Sequence, residues 1–333
     1  MDLVTGATGH IGNVLVRQLL ARGRQVRALV RPGKVPVALQ GLSAGIVPGD
    51  LLDPASLERA VDGVETVYHL AARIQLGDGP DPETARVNLD GTRHLLEAVS
   101  RTGVRRLVYA SSVYALRMPA AGTIDEGCPF DPLAARGEYD RTKAAASLEV
   151  QRASAHGLDA VLVCPTAVTG PYDFQPSEAG RALLYNLAPG IKFTINGAYN
   201  FVDVRDVAQG MILAAERGRR GQAYILGGER LTVREVAEAI WAASDGWHAG
   251  VHLPDWVAVL AAQVAPLLSS EPIVTPYSLG AVRSNADISS RKAMDELGYC
   301  PRPARQALTD AVCWFQGRQA QAEVLPEIQS AAV

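Results

Sequence analysis

The sequence predicts an α/β fold: a doubly wound parallel sheet that carries a smaller, mostly helical C-terminal lobe. Three observations predict it. Short apolar, β-branched runs alternate with longer amphipathic ones up to about Pro165, the pattern of strand–helix–strand units and of strands buried on both faces. A glycine-spaced turn, TGATGHIG over residues 5–12, joins the first strand to the first helix. After Pro165 the alternation loosens into Pro- and Gly-rich loops over 169–200, and from about residue 250 it becomes mostly helical and irregular.

Taken in order, DLVT is a short strand and IGNVLVRQLLARG has apolar residues at helical spacing. QVRALV, AGIVPGD and ETVYHLA read as the second, third and fourth strands. ETARVNLDGTRHLLEAVSRTG (83–103) is a long helix, RRLVYASS a strand, GEYDRTKAAASLEVQRASAHG (137–157) a helix and DAVLVCP a strand. FVDVRDVAQGMILAAERG, QAYILGG and the helix TVREVAEAIWAAS follow. The expected organisation is a nucleotide-binding core over 1–165 and a substrate-binding lobe over 166–318. Core elements return at about 200–243, and 319–333 form a small, polar, fraying tail.

Bulk properties narrow the function. The 333 residues, 48% hydrophobic and 20% charged, suit a globular protein with a sizeable core. A net charge of −3 gives no basic footprint for nucleic acid. Four scattered cysteines form no C-x-x-C pair and read as reduced thiols, with neither a disulfide frame nor a metal site. The N-terminus shows no signal-peptide pattern, so the expected location is the cytoplasm. The most apolar stretch, VAVLAAQVAPLL, is too short to span a bilayer; residues 251–268 could line a pocket for an apolar ketone or rest on a membrane surface.

Gly6, Gly9 and Gly12 stand where a strand gives way to a helix. The first allows the tight turn, the second a close approach of backbone to a pyrophosphate, and the third close helix–strand packing. The helix N-terminus adds free N–H groups and a positive dipole end. The core is therefore expected to be a Rossmann-type dinucleotide site. Where an NAD site usually ends its second strand with an acidic residue, this chain has Arg31, with Lys34 close by. Cations suit a 2′-phosphate, so NADP(H) is expected over NAD(H). Asp50, after the third strand, could hydrogen-bond the adenine amine or be an ordinary loop residue.

Tyr139 and Lys143 lie one helical turn apart. Random placement would give roughly 0.1 such pairs in a chain of this composition. The choice of lysine is itself informative, because 28 of the 32 basic residues are arginine and the two side chains are not interchangeable beside a phenol. Together with HLAA (69–72), NLDGT (88–92), VYASS (108–112), CPTAVTGPYD, NFVDVRDVAQGM, YILGGE and RKAMDELGY, these motifs run in order through nearly the whole chain. In this the chain resembles the extended short-chain dehydrogenase/reductase family, most closely its dihydroflavonol reductase-like and 3β-hydroxysteroid dehydrogenase-like branch.

The resemblance implies a catalytic unit of Ser112, Tyr139 and Lys143. Tyr139 would exchange a proton with the substrate oxygen and Ser112 would hydrogen-bond that oxygen, with Ser111 a competitor for the role. Lys143 would lower the phenol's pKa and hold the nicotinamide ribose. It also implies cofactor contacts at Gly6, Thr8, Gly9, His10, Ile11, Gly12, Arg31, Lys34, Asp50, Leu51, Leu70, Ala71, Ala72, Tyr139, Lys143, Pro165 and Val168. Asn88 is expected to serve structure more than the cofactor. Trp256, Tyr172 and Phe174 are candidate pocket walls. The family's habit implies a homodimer. The leading expectation is an NADPH-dependent carbonyl reductase or alcohol dehydrogenase acting on a largely apolar ketone. The alternative is a nucleotide-sugar epimerase or dehydratase with tightly bound NAD, which the departure at Thr166, where such enzymes often have Asn, weakens.

Overall fold

The computed structural model describes residues 1–34, 36–75, 79–119, 122–268, 275–283 and 287–317, the last three of 122–268 by backbone alone. The expected tail over 319–333 lies outside the described residues. The chain begins β1 (Asp2–Thr5), α1 (His10–Ala21), β2 (Val26–Val30), β3 (Gly45–Pro48), α2 (Pro54–Val61) and β4 (Thr66–His69). It continues with α3 (Pro82–Ala85), α4 (Gly91–Ser100), β5 (Arg106–Ala110), β6 (Thr123–Ile124), α5 (Glu138–Ala155), β7 (Ala160–Pro165) and β8 (Ala167–Thr169). Next come α6 (Glu178–Leu187), β9 (Gly190–Thr194), β10 (Ala198–Asp203), α7 (Val204–Arg217), β11 (Ala223–Leu226), β12 (Glu229–Thr232) and α8 (Val233–Ala243). The last elements are β13 (His248–His252), α9 (Asp255–Leu268), α10 (Pro276–Arg283), β14 (Asp287–Ile288), α11 (Arg291–Leu297) and α12 (Ala304–Phe315).

Seven parallel strands form the main sheet in the order β11-β7-β5-β4-β1-β2-β3. The chain winds outward in one direction from β1 to β3 and in the other from β4 to β11. The switch point, where such a sheet opens a crevice for ligands, falls between β1 and β4. Two apolar clusters fill the two faces: Val14, Leu15, Leu19, Val204, Val207 and Met211 on one, and Leu57, Leu95, Leu107, Leu162 and Ile225 on the other. Arg24 closes the N-terminal edge with a bidentate pair to the buried Asp2, at 2.8 and 2.7 Å.

Two local features differ from the sequence reading. The PASLERAV segment, which that reading leaves between two strands, is the helix α2, with Pro54 in its first turn, where a missing N–H costs nothing. The long helix over 83–103 is interrupted by a π-turn at Arg86–Asp90, the kind of irregularity that often marks a functional site.

The second half returns to the main sheet through α7 and β11. The rest builds short sheets, β12-β10-β8, β13-β9 and β14-β6, and a separate apolar cluster that includes Leu183, Leu231, Ile240, Leu308 and Val312. No described helix is long and apolar enough to cross a membrane.

Candidate active site

The candidate residues of the core share one edge. In a parallel sheet every strand ends on the same side, so the segments after β1 (Gly6–Gly12), β2 (Arg31–Lys34), β3 (Asp50–Leu51), β4 (Leu70–Ala72), β5 (Ser111–Ser112) and β7 (Pro165–Val168) line up along the carboxyl edge.

The glycine turn fits a bound pyrophosphate through its lack of side chains. Gly6 has φ +69°, and a Cβ added there would lie 2.6 Å from the Ala71 backbone nitrogen. A Cβ at Gly12 would lie 2.1 Å from the Gly6 carbonyl oxygen. Both positions are closed to any side chain. At the N-cap of α1, Gly9 offers no side-chain cap, which leaves first-turn N–H groups for an anion. Thr8 is half-buried in the turn, and Ile11 packs against the core. The imidazole of His10 is committed elsewhere: Nε2 donates to Pro171 O at 2.9 Å, Nδ1 stands 4.0 Å from Asp173, and burial holds its pKa below the usual value. What His10 can offer a phosphate is its backbone.

Arg31 and Lys34 are exposed beyond β2. Asp50 Oδ1 accepts from Leu52 N at 2.9 Å, so one carboxylate oxygen already closes a local turn. The Leu51 side chain is buried in the core, beside Gly91, so only its backbone can face a cofactor. Leu70, Ala71 and Ala72 leave β4 against the glycine turn, where Thr5 Oγ1 accepts from the Leu70 and Ala71 N–H groups at 3.2 Å each.

On the other side of the switch point, α5 lies over the end of β5. The Ser111 and Ser147 hydroxyls meet at 2.6 Å and Ser147 donates to Lys143 O at 2.7 Å, so Ser111 pins helix to strand. Ser112 caps the turn that follows, accepting from Tyr114 N at 3.2 Å, and neighbours the Tyr139 phenol. Ser111 is thus tied into the scaffold, while Ser112 lies beside the phenol. Asn88, inside the π-turn, accepts from Arg73 N and donates to Arg73 O and to Thr142 Oγ1, at 2.8, 3.0 and 3.0 Å. It clamps the segment after β4 to α5 next to Lys143.

Lys143 is 4% exposed. Its ammonium donates to Ala110 O at 2.5 Å and lies 4.9 Å from the centre of the Tyr109 ring. Burial pulls its pKa down to about 8. The half-buried Tyr139 departs from the sequence reading, which expects Lys143 to lower its pKa. Burial first, and the neighbouring Asp140 second, push the phenol above its usual value, while Ser112 opposes them. The Lys143 ammonium is directed at the Ala110 carbonyl instead.

The proposed pocket walls also change. Trp256 is 72% exposed and stands out in solvent. Tyr172, in a left-handed conformation with φ 68°, and Phe174 pack on Trp314 and under Arg17. Three other tyrosines gather by the start of α5, where Tyr277 donates to Asp140 and Arg136 lies over the Tyr114 ring. Tyr114 meets Tyr199 and Tyr277 edge to face, with centroids 6.0 and 6.4 Å apart. Tyr114, Tyr199, Asn200, Met118 and Ile288 line a small crevice. Of these, only Asn200 falls in a motif visible in the sequence, as the first residue of NFVDVRDVAQGM. Thr166 donates to Asn200 Oδ1 at 2.9 Å, which also accepts from Gly228 N.

Comparisons with known proteins agree with this geometry. The profile of the NAD dependent epimerase/dehydratase family matches residues 3–227. "Sterol demethylase protein B" of Methylococcus capsulatus is 37% identical over 324 residues, covering 95% of this chain and 98% of its own. The 4-hydroxy-2-methyl-3-oxo-4-farnesyl-3,4-dihydroquinoline-1-oxide ketoreductase of Stigmatella aurantiaca is 30% identical, covering 93% and 94%. Among solved structures, the UDP-glucose 4-epimerase of Thermus thermophilus in complex with NAD superposes with a TM-score of 0.75 at 25% identity, over 95% of this chain and 99% of its own. With a glycine turn at the β1–β4 switch point and a Tyr–Lys helix beside it, the chain belongs to the NAD dependent epimerase/dehydratase family, the extended branch of the short-chain dehydrogenases/reductases.

Proposed function

We propose that this protein is an NADPH-dependent carbonyl reductase, or alcohol dehydrogenase in reverse, acting on a largely apolar ketone. The observation that carries the reading is the convergence of Tyr139, Ser112 and Lys143 at the carboxyl end of β5, across the switch point from the glycine turn. A bound nicotinamide would supply or accept the hydride. The chain's own residues do the rest. Ser112 Oγ orients the substrate oxygen, and Tyr139 gives it a proton as negative charge develops. Because burial raises the phenol's pKa, Tyr139 keeps its proton through neutral pH, as a donor must. Lys143, charged below about pH 8, offers its ammonium beside the Ala110 carbonyl to the ribose hydroxyls of the cofactor. Asn88 fixes α5 against the segment after β4.

The exposed cations Arg31 and Lys34 favour a 2′-phosphate and hence NADP(H). The names of the two relatives speak of a sterol and of a farnesyl-bearing ketone, which favours an apolar substrate. The family profile keeps a second reading open, a nucleotide-sugar epimerase or dehydratase with retained NAD. One experiment separates them. The purified protein is denatured, any released nicotinamide is identified, and fresh protein is titrated with NADPH and NADH by fluorescence. The reductase reading expects little carried-over cofactor and much tighter NADPH binding. Stoichiometric retained NAD would overturn it.

A further inference from the structure

His10, Asn13 and Arg17 stand at i, i+3 and i+7 of α1, on one face of the helix. All three reach the same short segment, residues 170–174, which leads out of β8 toward α6. The His10 imidazole donates to Pro171 O at 2.9 Å and stands 4.0 Å from Asp173. The amide nitrogen of the fully buried Asn13 donates to Tyr172 O at 3.1 Å. The same nitrogen donates to Gly9 O and His10 O, at 2.9 Å each, in the first turn of α1. The Arg17 guanidinium lies 5.0 Å from the centre of the Tyr172 ring and 5.8 Å from that of Phe174. Its Nη2 donates to Ala38 O at 3.0 Å, and its Nε stands 3.5 Å from Asn13 Oδ1.

The segment held in this way is strained, and the C-terminal lobe is seated on it. Tyr172 is the one non-glycine residue with a positive φ, 68°, among the described residues, a conformation that persists only where the surroundings impose it. Its ring and that of Phe174 pack on Trp314 of α12, with centroids 5.1 and 5.0 Å away. Asp173 Oδ2 accepts from Ser177 N and Oγ at 2.9 and 2.8 Å, and Ser177 Oγ in turn caps α6 by accepting from Gly180 N. From α6 and α12 come Leu183, Leu308 and Val312 of the lobe's apolar cluster. A single amide, that of Asn13, therefore joins the turn that offers its N–H groups to an anion with the strained link that carries the lobe. A pyrophosphate that fixes this turn also favours the one arrangement of residues 170–174 that His10 and Asn13 can hold. We propose that His10, Asn13 and Arg17 are positioning residues that couple the dinucleotide seat to the substrate lobe. A bound dinucleotide orders the seat of α6, and an ordered lobe tightens the hold on the dinucleotide, by the same factor in both directions.

The inference rests on the reading of the glycine turn as the pyrophosphate seat, and its test reads binding and coupling separately. Dinucleotide affinity is measured by fluorescence titration. Amide hydrogen exchange of α6, residues 178–187, is measured with and without saturating NADPH, or NADH where that binds better. In the unmodified protein the dinucleotide is expected to slow exchange in α6 by at least about 5-fold. Arg17→Ala leaves the glycine turn in place; it should still bind the dinucleotide, several-fold more weakly, and lose the slowing in α6. Arg17→Lys, which keeps a cation over the two rings, should recover most of it. Tyr172→Leu removes from the lobe side the ring that Arg17 and Trp314 hold, and should reproduce the loss. The ratio of exchange rates decides, since Arg17 also holds Ala38 O. A lobe that is merely destabilised exchanges faster by one factor in both states and keeps its ratio. Dinucleotide binding with α6 exchange unchanged, or with the same ratio in Arg17→Ala and Tyr172→Leu, would overturn the inference and leave the cofactor reading standing. Failure of either dinucleotide to bind would overturn both.

Discussion

The two sides of the cleft are built from different materials. At the glycine turn the working surface is backbone: Gly6 against Ala71, Gly12 against Gly6, and uncapped N–H groups at the start of α1. On α5 it is made of buried charges, Lys143 on the Ala110 carbonyl and Asp140 under Tyr277. A backbone surface tolerates no added atom but is indifferent to pH. A surface of buried charges tolerates isosteric change but responds to every proton. The two sides should therefore fail in different ways.

The largest effect is expected at the glycine turn. Gly12→Ala places a methyl 2.1 Å from a carbonyl oxygen in a turn that cannot yield, so the loop must deform, at about 2–4 kcal/mol. A lowered Tm together with lost dinucleotide binding, read by fluorescence titration, is the expected pattern at every pH. Near-normal binding would mean that the turn is not the pyrophosphate seat. At Tyr139 the loss should fall on chemistry alone. Tyr139→Phe is expected to lower kcat by about 10²–10⁴ with dinucleotide affinity unchanged.

The distinction also explains what can be read from the sequence. A glycine that admits no Cβ leaves its mark as a glycine, and three of them between a strand and a helix mark the site by themselves. The alternation of buried strands with helices is equally visible. The helix α2 is not, because PASLERAV gives only two turns, too short a run to stand out between two strands. Nor is the π-turn at Arg86–Asp90, whose sequence is helical throughout. The short strands of the lobe pair with distant segments, β9 with β13 and β6 with β14, and register of that kind has no local signature. Tyr139 and Lys143 are legible as a pair at i, i+4. The direction of the shift at Tyr139 is not, because it follows first from the burial of the phenol, which only the tertiary structure sets.

Smaller effects should separate the two sides by pH. The Lys143 ammonium is lost as pH rises through about 8, so kcat/KM for reduction should fall over that interval, while the stability loss in Gly12→Ala should stay constant across it. A flat activity profile from pH 7 to 9 would remove the ammonium from the mechanism. For Asp140 the sign runs the other way. Its folded-state pKa, about 6, lies above the ordinary value of 3.8, so the folded state binds the proton more tightly and the cost of charging the carboxylate accrues as pH rises from about 4 to 6. Asp140→Asn removes that cost. Its Tm should exceed that of the unmodified protein by on the order of a few degrees above pH 6, and the gain should disappear near pH 4. A gain independent of pH would mean that folding leaves the carboxylate's pKa unchanged.

The measurement closest to the central claim is ketone-dependent oxidation of NADPH by the purified protein, run over a panel of apolar ketones beside Tyr139→Phe and with NADH in place of NADPH. The account predicts turnover with at least one apolar ketone, a preference for NADPH, and loss of that turnover in Tyr139→Phe although the variant still binds NADPH. Full reductase activity in Tyr139→Phe would contradict it.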